Sequence, residues 1–223
     1  MDIEHIAIVL GVILVSMTVH EAMHGYVAYW LGDDTAKAEG RLTLNPIPHI
    51  DLWMTILLPS LLLLASQGQF VFGGAKPVPV QFHRLRHPWR DMSLVALAGP
   101  FTNLFLALVF LVAREFFRRT GWYNSAEASY DLRGGDLLLV VLTESARFNV
   151  LLFVFNLVPI PPLDGSRVMA WLLPSNLRES YVAIERWGMM IVLALLYLPT
   201  PFRYWLADSM QTVLGWMTRL VHA

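Results

Sequence analysis

Ile6-Ala7-Ile8-Val9-Leu10-Gly11-Val12-Ile13-Leu14-Val15-Ser16-Met17-Thr18-Val19 runs straight into His20-Glu21-Ala22-Met23-His24, and Gly25 to Leu31 then resumes the apolar pattern. One helix over about residues 5–31 is ample to cross a hydrocarbon core, which takes ~20 residues. Polar groups at that depth are expensive and point by default to a function. On a helix, positions i and i+4 share a face about one turn apart. Two imidazoles so placed can bind one tetrahedral zinc and leave room for a third ligand and a water. Glu21 sits beside them, positioned to take the proton of a metal-activated water. The plain alternative is a pair of core histidines that bind nothing. It is weak here, because three ionisable groups lie in an otherwise apolar run.

The whole composition agrees with a membrane setting. Of 223 residues, 56% are hydrophobic and 15% charged, against ~25% charged in a soluble domain. Mean hydropathy is +0.53. The net charge of −1 offers no electrostatic draw to nucleic acid. Cysteine is absent, so disulfides, iron–sulfur clusters and thiolate metal sites are excluded, and His, Asp and Glu remain as metal ligands. Eight Trp and seven Tyr fit anchoring at membrane interfaces. The acidic start Met1-Asp2-Ile3-Glu4-His5 lacks the basic n-region of a cleaved signal peptide.

Met92 to Ala113 is 22 residues without a charge and the clearest further span. Leu137 to about Pro159 is another, with Glu144 and Arg147 one turn apart, and Gly188 to Phe202 is uncharged. Tyr204 to Val221 is amphipathic, able to cross the membrane or lie on it. Leu52 to Ala65 has only 14 apolar residues and contains Pro59, which suits a re-entrant segment better than a span. Three short pieces, Gly40–Leu44, Gln69–Phe72 and Lys76–Val80, lie between Gly and Pro breaks and suggest a small sheet, with plain loop as the alternative. The expected fold is therefore mainly α and polytopic. It has four to six transmembrane helices, a small membrane-associated β-sheet and a re-entrant segment near the active site. A single domain over 1–223 is expected, with a catalytic core at about 5–170 and C-terminal helices at about 180–223.

Two histidines need a third protein ligand. The outstanding candidate is Asp164 in Asn156-Leu157-Val158-Pro159-Ile160-Pro161-Pro162-Leu163-Asp164-Gly165. There an apolar helix runs into three prolines and then presents a carboxylate before a glycine that permits a turn. Irregular backbone at membrane depth is tolerated where protein buries it or where it lines a wet cavity. A third element, Gly99-Pro100-Phe101-Thr102-Asn103, puts a polar side chain early in the clearest span. Its bland reading is helix packing with Asn103 bonded across helices. His20, His24 and Asp164 can share a metal only if Leu52–Ala65 returns to the side it left or lies on the surface. The active-site face then carries Lys37, Arg41, Lys76, Arg84, Arg86 and Arg90, against Arg114, Arg118, Arg119 and Arg133 opposite. That balance favours the cytoplasm for the active-site face. His5, His49, His83, His87 and His222 have no partner at ligand spacing and read as surface or interfacial groups.

His20-Glu21-x-x-His24, Gly99-Pro100-x-x-Asn103 and Asn156-x-x-Pro159…Leu163-Asp164-Gly165 together resemble the site-2 protease family of intramembrane zinc metalloproteases. Gly40-Arg41-Leu42-Thr43-Leu44-Asn45-Pro46 and Ala75-Lys76-Pro77-Val78-Pro79-Val80 resemble its short prokaryotic members, which carry no PDZ or CBS domain. The resemblance covers about residues 5–170. It implies one zinc per chain held by His20, His24 and Asp164, with Glu21 as catalytic base and Asn103 and Asn156 as substrate or oxyanion contacts. Ser166 stands where many members have a second glycine. The implied activity is hydrolysis of peptide bonds within or near transmembrane segments, on a protein substrate in the lipid bilayer of a prokaryotic cell membrane, with no nucleic-acid partner. The alternatives are a membrane zinc hydrolase of a non-peptide substrate, and a non-enzymatic transporter or metal-binding protein. Glu21 speaks against the latter.

Overall fold

The structure is a computed structural model that describes residues 3–65, 73–120, 135–198 and 200–222. Its helices are α1 Ile3–Trp30, α2 Thr35–Ala38, α3 Leu58–Ala65, α4 Pro88–Arg119, α5 Gly135–Asn156, α6 Asp164–Leu172, α7 Ser175–Val182, α8 Glu185–Tyr197 and α9 Pro201–His222. Their ends follow from local chemistry. Pro88 opens α4 at a position where a missing N–H costs nothing. The Asp91 carboxylate in the first turn accepts from the His87 N–H at 2.7 Å. Arg118 and Arg119 close the helix where cations suit its dipole. α5 stops at Asn156, just before the proline run.

α4 is the hub and packs against α1, α5 and α6. Behind it, Ala107, Val150, Val154 and Leu206 join α4, α5 and α9 in one apolar cluster. Ala28, Leu85 and Val95 join the end of α1 to α4. Val158, Leu163 and Val192 hold the proline run against α8.

Three described helices are long and apolar enough to cross a membrane: Ala7–Trp30 within α1, Pro88–Arg119, and Leu137–Asn156 within α5. A fourth exists if α7 and α8, bent by 65°, count as one broken span. The expected four to six helices are thus reduced to three or four. α9 is not among them, since charged and polar residues interrupt its apolar face.

The expected β-sheet is not there: the described residues contain no strand. Gly40–Leu44 and Lys76–Val80 lie outside any ladder, and Gln69–Phe72 falls outside the described residues. The reason is a shortage of free backbone groups. Pro77 and Pro79 have no N–H to give. The Lys76 N–H goes to the His49 carbonyl at 2.7 Å. Arg41 takes the carbonyls of Lys76 and Pro77 at 2.8 and 3.3 Å. β-branched residues between breaks produced the sheet-like pattern, but side chains and the His49 carbonyl satisfy the backbone instead.

Leu52–Leu57 forms a π-helical turn, capped by Asp51, whose carboxylate accepts from the Trp53 and Met54 N–H groups. α3 follows directly. The chain then comes back to its point of departure: the Gly74 N–H donates to the Met54 carbonyl at 3.0 Å, and Thr55 Oγ1 donates to the Gly74 carbonyl at 2.7 Å. His49 also departs from expectation. It is fully buried, with Nε2 3.0 Å from the Thr43 carbonyl, and it supports the loop that carries residues 75–80.

Candidate metal centre

His20 and His24 project from one face of α1 towards α4, as their spacing demands. Gly99 of α4 makes room for them: a Cβ there would lie 2.6 Å from both rings. The two residues are 6% and 8% exposed. His20 Nδ1 is 2.5 Å from Asn103 Oδ1, and His24 Nδ1 is 2.7 Å from the Val95 carbonyl oxygen. Both partners accept, so each Nδ1 carries the proton and donates it. Each Nε2 is then left with a bare lone pair.

Those two lone pairs face each other at 3.0 Å. Asp164, at the start of α6, brings Oδ2 to 3.1 Å from His20 Nε2 and Oδ1 to 3.4 Å from His24 Nε2. Asp164 Oδ2 is buried and receives no hydrogen bond. Two lone pairs and a carboxylate thus converge on one point, with ligand atoms all within 4.8 Å of one another. A metal ion at that point would satisfy all three groups at once. Tetrahedral ligands on zinc at ~2.0–2.1 Å stand ~3.3 Å apart, close to the separations here. The donor set of two nitrogens and an oxygen, without sulfur, suits zinc.

Asp164 reaches this point because α6 packs on α4 and docks tightly against the turn that follows α5. Gly165 permits that docking through space rather than backbone freedom. It lies within α6, and any Cβ would run into the carbonyl oxygens of Leu157 and Val158.

Relatives share the site's chemistry by name. The chain is 39% identical over 187 residues to "Putative zinc metalloprotease YwhC" of Bacillus subtilis, covering 84% of this chain and 78% of that protein. It is 32% identical over 201 residues to "Putative zinc metalloprotease Rip2" of Mycolicibacterium smegmatis, covering 87% and 71%. The chain belongs to this family of zinc metalloproteases. A relative of the same site-2 protease-like kind, "Putative zinc metalloprotease MJ0611" of Methanocaldococcus jannaschii, is 35% identical over 112 residues, about half of each chain. No family model matches the chain, and no solved structure matches it significantly.

In this metalloprotease, Glu21 follows His20 on α1, and its Oε2 accepts from the Val78 N–H at 2.9 Å. Its other oxygen has no hydrogen-bond partner among the described residues. Asn103 meets His20 with its oxygen, while its nitrogen is taken by Asn149 Oδ1 at 2.7 Å and approaches the Ser16 carbonyl at 3.5 Å. Both ends of that amide are used inside the helix junction. Asn156 sits at the end of α5, half-buried, and its Nδ2 gives one hydrogen to the Leu152 carbonyl at 3.0 Å.

Two contributors escape motif reading. Asn149 is fully buried below Asn103 and belongs to no recognised spacing. Its only signal is an amide in the middle of an apolar span. Val78 acts through its backbone. Its signal is Pro77-Val78-Pro79, where Val78 has the only N–H of the three residues.

Proposed function

We propose that the chain is an intramembrane protease that hydrolyses peptide bonds within or beside transmembrane segments of membrane-protein substrates. One zinc per chain is held by His20, His24 and Asp164, and Glu21 is the base. The observation that supports this most is the convergence on one point of the Asp164 carboxylate and two imidazoles carried by a helix long enough to span a bilayer.

A zinc ion bound there supplies Lewis-acid activation of a water molecule and polarisation of the scissile carbonyl. Glu21 takes one proton from the attacking water on its free oxygen, while the Val78 N–H holds the other oxygen still. As the water oxygen bonds to the carbonyl carbon and the C–N bond breaks, Glu21 passes that proton to the leaving amine. Asn156 keeps one amide hydrogen beyond its bond to Leu152. That hydrogen serves the oxygen on which charge develops. The substrate's own helix must open locally first, because its backbone groups are already paired.

The enzyme sits in the cell membrane with the site nearer the cytoplasmic face. The six Lys and Arg between the first two spans, against four in the next loop, support that orientation. The test is cleavage of a single-span model protein by the purified chain in lipid nanodiscs. Wild type is expected to contain about one zinc and cut within or beside the span. Glu21→Gln is expected to keep the metal and lose turnover. Cleavage that survives Glu21→Gln, or activity on lipid esters alone, overturns the reading.

A further inference from the structure

Ser16, Asn103, Ser145 and Asn149 meet where α1, α4 and α5 pack together, none more than 5% exposed. Their hydrogen bonds run in one direction only. Asn149 Nδ2 lies 2.8 Å from the Ser145 carbonyl oxygen, which can only accept, so the amide nitrogen must occupy that end. Its second hydrogen goes to Ser16 Oγ at 2.9 Å. Asn149 Oδ1 therefore faces Asn103, and at 2.7 Å only the Asn103 nitrogen can answer it. That turns Asn103 Oδ1 onto His20 Nδ1. An oxygen at that place requires the imidazole proton on Nδ1 and leaves the lone pair on Nε2, the nitrogen beside His24 and Asp164.

The Ser145 carbonyl in α5 thus sets, through two amides, which nitrogen of His20 is free to bind metal, and the Ser16 carbonyl, 3.5 Å from the Asn103 nitrogen, supports the same orientation more weakly. We propose that Asn149 is a positioning residue that locks His20 in its metal-binding tautomer by way of Asn103. The inference rests on His20 being a zinc ligand. The competing explanation is that Asn149 only fastens α5 to α1 and α4, as buried amides between membrane helices do.

A double-mutant cycle on zinc affinity separates the two. The zinc dissociation constant of the full chain in detergent is measured by competition with a chromophoric chelator. Wild type, Asn103→Ala, Asn149→Ala and the double variant are compared, with the melting temperature of each metal-free protein read alongside. Asn149→Ala is expected to weaken zinc binding about tenfold, within the range seen when groups that orient a metal-binding histidine are removed. Asn103→Ala is expected to weaken it at least as much, and the double variant no further than Asn103→Ala alone, because one lock is broken either way. Losses that multiply in the double variant overturn the proposal. So does an Asn149→Ala protein that melts lower yet binds zinc within about twofold of wild type. If the alanine variant does not fold, Asn149→Ser replaces it with the same expected pattern, since its hydroxyl can satisfy the Ser145 carbonyl from within the helix. A wild type that binds no zinc refutes the metal reading itself, an outcome distinct from multiplied losses.

Discussion

The two sides of the metal centre are built differently. On the imidazole side, His20 and His24 stand on α1, pressed against Gly99, and every Nδ1 proton has a buried acceptor on α4. On the carboxylate side, Glu21 is steadied by the Val78 N–H from a segment with no regular structure, and Asp164 arrives on a turn after three prolines. Helices that already satisfy their own backbones make a rigid frame. An extended segment held by a few side-chain contacts can shift at lower cost. The two imidazoles therefore sit in the helix junction, while Asp164 and the Glu21 carboxylate depend on the more yielding part.

The contrast is tested most severely at Gly99. Gly99→Ala places a carbon against both rings. Overpacking of this kind costs ~1–3 kcal/mol, and here it must displace the imidazoles. Loss of zinc content is expected, with a lower melting temperature. Normal zinc content in that variant would mean that the junction has slack. Val78→Pro strikes the other side. It deletes the N–H that holds Glu21 and changes no residue of α1, α4 or α5, though the Val78 side chain lies beside Gly25 of α1. Cleavage of a single-span substrate is expected to fall ~10–100-fold with zinc content unchanged, while Val78→Ala keeps both.

Arg41→Met is a milder version. It removes the clamp on the carbonyls of Lys76 and Pro77 while keeping the length of the side chain. A destabilisation of ~1–3 kcal/mol is expected by thermal unfolding, with turnover reduced less than in Val78→Pro. Arg147→Ala touches neither side. Its partner is Glu144 at 3.2 Å, and 61% of the arginine side chain is exposed, so a change within about 0.5 kcal/mol is expected. A larger change would mean that α5 depends on surface charge rather than on its buried face.

The cluster of His20, His24 and Asp164 that could hold a metal was legible because the chemistry dictates the spacing. Two imidazoles four apart on a helix face one point wherever they occur, and Asp164 stands out as a charge next to breaks in an apolar run. The span at residues 92–113 was legible from its lack of charge and that at 137–159 from a long apolar run broken only by Glu144 and Arg147, and α4 and α5 occupy those regions. The sheet was misread because Val78, Val80 and their neighbours carry strand-like side chains. Pairing depends instead on free backbone groups, which Pro77, Pro79 and Arg41 remove. His49 was misread as a surface or interfacial group because nothing in the sequence tells that the Thr43 carbonyl and the Lys76 N–H would both bond to it. Asn149 was invisible for a related reason: its importance lies in the direction of a hydrogen-bond chain, and residue identity alone does not encode direction.

The closure at Gly74 has a practical corollary. Because Gly74 is pinned to Met54 and Thr55, the path from Asp51 to Val78 is short-circuited by two hydrogen bonds at its neck. The spacing between the clamp on Lys76 and Pro77 and the Glu21 carboxylate is therefore set on the Val78 side of that neck. An epitope tag inserted between Ala65 and Gly73 is expected to leave the Val78 N–H on Glu21 as long as the neck holds.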